Sequence, residues 1–258
     1  MKTLHTALTA LALPIVLFCA WWAFSVANPS FYFPSLPKIL GQFPETWGLD
    51  MWVSDVFPSL LRLFASYALA LALGVGLGMV LGLSRRIRLT FEPVLEFLRA
   101  VPPTALVPVV MLFFGIGDVM KVVVIVLGCF WPILLNTIEG VRSVDEVLSD
   151  TAATYKVRSR SRLVHLTLRS ATPQIFTGLR QALSIGIIMM VISEMFAASN
   201  GIGFAIVQFQ HQFSIPEMWS GVILLGIIGY LLSQGFGWVE RRSLAWYYGL
   251  KASGENGR

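Results

Sequence analysis

From about Leu60 to Leu83 the chain carries a single charge, Arg62. The run is long enough to cross the roughly 30 Å hydrocarbon core of a bilayer, which takes about 20 residues of helix. A segment of this kind needs either a large protein core around it or lipid. The remaining sequence does not supply such a core: 56% of the 258 residues are hydrophobic and only 13% are charged. An ordinary soluble domain carries roughly 25% charged residues. Mean hydropathy is +0.73, so the bilayer is the solvent the sequence is built for.

Comparable apolar runs lie at about Ala7–Ala27, Val94–Phe114, Val119–Ile138, Thr177–Ala198 and Trp219–Val239. With Leu60–Leu83 they predict about six transmembrane helices and a fold class of all-α integral membrane protein, one domain over 1–258. The Ala7 run follows Lys2, is long, and lacks a convincing small-residue cleavage site, so it is expected to be a retained span rather than a signal peptide. Pro14 is tolerated in a membrane helix, and Trp21 and Trp22 suit the interface. From Asn28 to Pro58 the chain is polar, aromatic and proline-containing, which predicts a connection lying along the surface.

Gly74, Gly78 and Gly82 recur every fourth residue, with Gly76 between them. They leave one helix face almost bare, a pattern that lets a neighbouring helix approach closely. Pro102, Pro103 and Pro108 interrupt the third run and predict a kink or unwinding, because proline removes backbone donors. Such a break either borders a path through the bundle or serves packing. Glu194 is an ionisable residue in an apolar helix, next to Ser193 and one turn after Met190, and should face protein or water rather than lipid. It either lines a pathway or holds a neighbouring helix by hydrogen bonds.

Charge is distributed unevenly. The polar insert Arg142–Arg180 holds Lys156, Arg158, Arg160, Arg162 and Arg169, whereas Ser199–Glu217 holds no lysine or arginine. Counting spans places Lys2, the Arg85–Arg88 cluster, the insert and Arg241–Arg242 on one side, with Lys38, Lys121 and Arg62 toward the other. By the positive-inside rule the first side is cytoplasmic, giving a multi-pass protein of the cytoplasmic (inner) membrane with both termini inside. Within the insert, Asp145, Glu146 and Asp150 precede the basic residues, the order that complements a helix dipole. Short helices outside the bilayer are expected there, facing either a partner protein or anionic headgroups.

The net charge of +5 belongs with these flanking residues rather than with a nucleic-acid surface. Cys19 and Cys129 lie in apolar runs with no CxxC or histidine cluster nearby, so no metal site is expected. No paired carboxylates, Ser-His-Asp set or phosphate-cradling G-x-x-x-x-G-K-[ST] loop is present, so no catalytic residue and no cofactor is assigned. An ion-coupled carrier would need more intramembrane charges than this chain offers.

From Asp150, the string DTAATYKVRSRSRLVHLTLRSATPQIFTGLRQAL resembles the coupling-loop signature of binding-protein-dependent importer permeases. Asp150 falls at that signature's glutamate and Ala152 at its second alanine, and Pro173, Gly178, Leu179 and Arg180 match its downstream end. Lys156 stands at the signature's glycine and Arg169 at its usual proline, which implies an unusual turn. FLRAVPPTALVPVVMLFFGIGD (Phe97–Asp118), SEMFAASNGIGFAI (Ser193–Ile206), FPSLPKIL (Phe33–Leu40) and WVERRSLAW resemble the sulfonate, taurine and nitrate branch of that family.

The resemblance, over about Phe33–Tyr248, implies the type I importer permease fold. It implies cytoplasmic ATP-binding subunits that hydrolyse ATP, a second permease copy forming a homodimer, and an external substrate-binding protein. A coupling insert at 142–175 would meet the ATPase through Asp150, Thr151, Ala152, Ala153, Tyr155, Lys156, Val157 and Arg158. Met190, Ser193, Glu194, Pro102 and Pro103 would border the pathway, and Asn200, Gln208, Gln210 and His211, in a re-entrant loop, would meet the binding protein.

Overall fold

The computed structural model describes residues 2–196 and 198–249; the side chains of residues 2–11 and 14, among them the charge of Lys2 and the ring of Pro14, lie outside the described residues. Ten helices of eight residues or more follow one another among the described residues, with no strand. They are α1 (Lys2–Ala27), α2 (Leu36–Thr46), α3 (Phe57–Leu83), α4 (Arg85–Ala100), α5 (Val107–Phe114), α6 (Asp118–Arg142), α7 (Glu146–Thr154), α8 (Arg169–Phe196), α9 (Ile202–His211) and α10 (Ile215–Ser243). Two π-helical segments, Trp52–Val56 and Arg162–Leu168, lead without a break into α3 and α8.

Four continuous helical stretches are long and apolar enough to cross a membrane: Leu49–Leu83, Asp118–Arg142, Ser159–Phe196 and Ile215–Ser243. A fifth unit is the third run, which forms two helices bent by 80° about Val101–Pro102 rather than one span. The sixth expected span lies in α1, whose described side chains include the apolar stretch Ile15–Ala27. The Asn28–Pro58 connection is more ordered than its polarity suggests. Within it α2 buries Leu36 and Ile39, and the Trp47 indole N–H donates to Ser220 Oγ at 2.9 Å.

The core forms where α6 lies between α3 and α8. The glycine stripe of α3 sets the first of these interfaces. A Cβ at Gly74 would stand 2.7 Å from Ile133 Cγ2, at Gly78 2.6 Å from Thr137 Cβ, and at Gly82 2.6 Å from Val141 Cβ. Gly76, off the stripe, has nothing within 4 Å. The stripe is therefore a packing surface: helix backbones meet without intervening side chains, which gains dispersion contacts where lipid offers no hydrophobic driving force. Leu63, Ala70, Ile125, Cys129, Ile133, Ala182 and Met190 fill the remaining space.

The polar insert is part helix and part extension of a span. α8 and the turns before it run from Ser159 to Phe196, 38 residues. At 1.5 Å per residue that is about 57 Å, nearly twice the hydrocarbon thickness, so its first turns stand clear of the bilayer.

Candidate functional site

Two sites occupy opposite ends of α8. At its N-terminal end, α7 is a short exposed helix with a well-made start: Asp145 Oδ1 accepts from the amides of Val147 (2.8 Å) and Leu148 (3.2 Å). These bonds satisfy two of the donors that every helix start leaves open. Thr151 and Thr154 turn their hydroxyls onto the helix's own carbonyls of Val147 and Asp150, at 2.7 and 2.9 Å. Arg162, from the π segment, bonds Ser149 and ties α7 to the root of α8.

The end of α7 fixes the backbone conformation of Lys156. Val157 N donates to Ala152 O and Lys156 N to Ala153 O, both at 3.0 Å, which is the paired bonding of a Schellman C-cap. That motif needs a left-handed residue, and Lys156 has φ of 51°. Glycine takes this conformation freely, whereas a lysine Cβ is crowded there. Lys156 is therefore a strained residue in the turn that closes α7. Asp150, Thr151, Ala153, Tyr155, Lys156, Val157 and Arg158 are exposed around it and Ala152 is half-buried. Val147 and Tyr155 are 72% and 80% exposed, a large apolar presentation for a helix outside the spans.

At the other end of α8, Glu194 lies at the centre of a buried polar cluster and is 1% exposed. Its Oε1 accepts from Ser59 Oγ at 2.6 Å and Arg62 Nη1 at 3.2 Å, and its Oε2 from the amide of Gly203 at 3.0 Å. Arg62 spends its other two arms on Asp118 (Nε to Oδ1, 2.8 Å) and Asn200 (Nη2 to Oδ1, 2.7 Å). Lys121, 2% exposed, reaches Asp118 at 3.4 Å. One cluster thus ties α3, α6, α8 and the start of α9.

Three consecutive amides of the connection into α9 are held by side chains from elsewhere. Gly201 N donates to Asp55 Oδ1 at 2.8 Å, Ile202 N to Ser59 Oγ at 3.0 Å, and Gly203 N to Glu194 Oε2. The two carboxylates satisfy the open donors of the α9 N-terminus and sit at the positive end of its dipole. Gly201 has φ of +128°, and a Cβ there would lie 2.4 Å from the Glu194 carboxyl carbon. A Cβ at Gly203 would lie 2.5 Å from the carbonyl oxygen of Val191. Both glycines of the Asn-Gly-Ile-Gly string are needed for the chain to press onto the carboxylate.

Met190 and Ser193 are fully buried, with Ser193 Oγ donating to its own helix at Met190 O (2.8 Å). Glu194 and its neighbours thus hold helices and a loop together, and only Asp118 at the cluster's edge is largely exposed. Pro102 and Pro103 sit apart from them at the 80° bend, Pro102 exposed and Pro103 half-buried. Asn200 belongs to the cluster, while Gln208, Gln210 and His211 are exposed at the far end of α9. α9 itself is more deeply set than its polar sequence suggests, burying Ile202, Gly203, Ala205 and Ile206.

Sequence reasoning passed over Asp55, and it read Arg62 and Lys121 only as markers of one membrane side. The available signal was Arg62 inside one apolar run and Glu194 inside another, opposite charges that need each other in a membrane. Among the described residues no group of His, Cys, Asp and Glu gathers into a metal-binding set.

Residues 70–242 match the family model described as binding-protein-dependent transport system inner membrane component. The taurine transport system permease protein TauC of Escherichia coli (strain K12) is 30% identical over 240 residues, covering 90% of this chain and 87% of that protein. The bicarbonate transport system permease protein CmpB of Synechococcus elongatus is 30% identical over 207 residues, 79% of this chain and 74% of that protein. Among solved structures, a chain of the MetNI methionine ABC transporter in an inward-facing conformation superposes with a TM-score of 0.63 at 18% identity. That superposition covers 75% of this chain and 96% of the other, and establishes the fold. The chain belongs to the binding-protein-dependent transport system inner membrane components, the multi-pass permease subunits of ATP-binding cassette importers, in which ATP hydrolysis resides in a separate subunit.

Proposed function

We propose that this permease imports a small solute bearing an oxyanion group, in the range of taurine, alkylsulfonates, nitrate and bicarbonate, and that two copies of the chain form the path. The solute class rests on the relatives named for taurine and bicarbonate transport, whose solutes share that group. The observation that carries the coupling role is the insert at 142–175: a capped, exposed helix whose Val147, Leu148 and Tyr155 remain 53% to 80% exposed. The face from Asp150 through Arg158 is assigned to the ATP-binding subunit, with Lys156 and Arg158 available to its acidic groups.

The basic residues of the insert and of Arg85–Arg88 support a cytoplasmic position for that end and for both termini. The ion cluster then faces outward. There Gln208, Gln210 and His211, beside a cleft of about 490 Å³ containing Phe31, Lys38, Phe213 and Glu217, are assigned to the binding protein. Asn200 serves that surface from beneath, through Arg62. The second copy is assigned to the bent pair, where Phe97, Leu112, Phe113 and Ile116 are 71% to 84% exposed. Pro102 and Pro103 shape the path at the bend, and Met190, Ser193 and Glu194 stiffen its wall.

The test is co-purification of the tagged chain in mild detergent, alone and as the L148D/Y155D variant, followed by uptake of labelled taurine into proteoliposomes. An ATPase recovered with the native chain and lost with the variant, with ATP-dependent uptake, is the expected result. Failure of taurine, ethanesulfonate, nitrate and bicarbonate alike to enter or compete removes the oxyanion class and leaves the importer intact. Uptake that needs no ATP and collapses with an ionophore would replace the importer reading with an ion-coupled carrier.

A further inference from the structure

Arg169 stands where the family signature has proline, and the fold gives it a partner of its own. Its guanidinium carbon lies 5.5 Å from the centre of the Trp246 ring, within the range of cation–π attraction. Trp246 belongs to a last helical turn, 245–249, that follows α10. Leu244, 2% exposed, anchors that turn, and its carbonyl accepts from the amides of Tyr247 (2.9 Å) and Tyr248 (3.1 Å). Lower on the same helix pair, Arg180 Nε donates to Glu240 Oε2 at 3.0 Å, and the Tyr248 hydroxyl donates to Glu240 Oε1 at 3.4 Å.

The C-terminal turn and the end of α10 are thus fastened to α8 at two heights, Arg169 and Arg180, about 16 Å apart along the helix. A polar cleft of about 470 Å³, with Ser143, Ser170 and Thr177 on its walls, separates the two fastenings. Arg169 is also the first residue after the π segment Arg162–Leu168. A π turn inside a helix is rare and is frequently found at functional sites. The joint at Leu168–Arg169 sets the direction in which the insert leaves α8. A proline at this place would restrict the joint by its ring. Arginine keeps its amide, which donates to Leu166 O, and adds a side-chain hold from outside the insert.

We propose that Trp246 is a positioning residue for the insert: through Arg169, the C-terminal turn fixes the angle at which the insert leaves α8 and so aims the Asp150–Arg158 face at the ATP-binding subunit. The role builds on the coupling function proposed above. It also accounts for the tolerance of arginine at a proline position, since the hold lost from the backbone returns through a ring packed on the side chain.

The hold can be read without substrate or ATPase. In the full-length chain with Cys19→Ser and Cys129→Ala, nitroxides on Ser159→Cys and Gly235→Cys report the insert against α10. Ser159 is exposed and Gly235 has open space at its Cβ. The native pair gives one narrow distance distribution; W246A and R169A each broaden it, while W246F and R169K keep it narrow. In titrations with the co-purified ATP-binding subunit, W246A and R169A each weaken binding about two- to fivefold, the scale of one exposed cation–π contact, and the double variant is no weaker than either single. R169A removes the same contact from an exposed residue, so it decides the matter if W246A does not reach the membrane. Unchanged distributions in the alanine variants, or losses that add in the double variant, overturn the proposal. A native chain that captures no ATPase refutes the coupling function instead, and the distance distributions still judge the hold.

Discussion

Replacing Arg62 with alanine would leave Glu194, 1% exposed, with only the Ser59 hydroxyl and the Gly203 amide as donors. Breaking a buried pair by removing one partner costs about 3–5 kcal/mol, because the remaining charge stays out of water. Asp118 loses the same arginine but its side chain is 68% exposed, so water replaces the bond and its share is small. At about 1.4 kcal/mol per factor of ten, the opened population rises roughly a hundred- to a few thousandfold. Cys129 supplies the reporter. It is fully buried between α6 and α8, with Sγ donating to Ala182 O at 3.3 Å. In a Cys19→Ser chain its reaction with a bulky maleimide follows the opened population whenever reclosing outruns labelling.

Labelling of R62A should therefore accelerate by that factor. Glu194→Gln keeps the shape but turns one acceptor into a donor. Whichever way the amide points, its NH₂ meets the Gly203 N–H or the Arg62 guanidinium, at a cost of about 1–3 kcal/mol. Replacing both charges, as R62M/E194M, should be milder than R62A, since apolar isosteres remove the uncompensated charge. An R62A chain that labels less than ten times faster than its parent would refute the central role given to the pair.

Three further outcomes follow from local geometry. Lys156→Gly relieves a left-handed side chain and should stabilise the end of α7 by about 1 kcal/mol, read as severalfold slower amide exchange at Val157. Asp145→Ala removes the cap of α7 and should cost about 0.5–2 kcal/mol, with faster exchange at Val147 and Leu148 and little change in α6. Gly78→Val drives a branched side chain into Thr137, 2.6 Å from the new Cβ, and should abolish recovery of folded protein from detergent, whereas Gly76→Val, facing open space, should be recovered normally.

Much of the architecture was legible because it follows from length and side-chain size. Apolar runs predict spans, and the Gly74–Gly82 stripe predicts close approach, though not that α6 is the helix received. The three prolines of the third run predict an interruption, but an 80° bend depends on how Val107 and Val110 pack onto the core. α7 was legible from Asp145 and its acidic first turn. The strained turn was foreshadowed by a lysine at a glycine position.

The ion cluster was not legible, because its bonds join residues 56, 132, 138 and 146 positions apart and no periodicity connects them. The burial of α9 escaped notice for the same reason. Its asparagine and glycines look like a solvated loop until the carboxylates that receive its amides are in place. The early start of α8 escaped too: the sequence predicts a span from Thr177, yet the helix already begins at Arg169, directly after the π segment.

The separation of the cluster's members also orders its assembly in time. A ribosome adding about 5–20 residues per second makes Glu194 roughly 7–26 s after Arg62, an interval in which α3 enters the bilayer with its cation lacking its deepest partner. Asp118, 56 residues on, arrives first and bonds the same guanidinium. Its largely exposed carboxylate is thus the provisional partner that escorts Arg62 until α8 is inserted. Nascent chains arrested after α6 should be retained in the membrane with aspartate at 118 and discarded with asparagine.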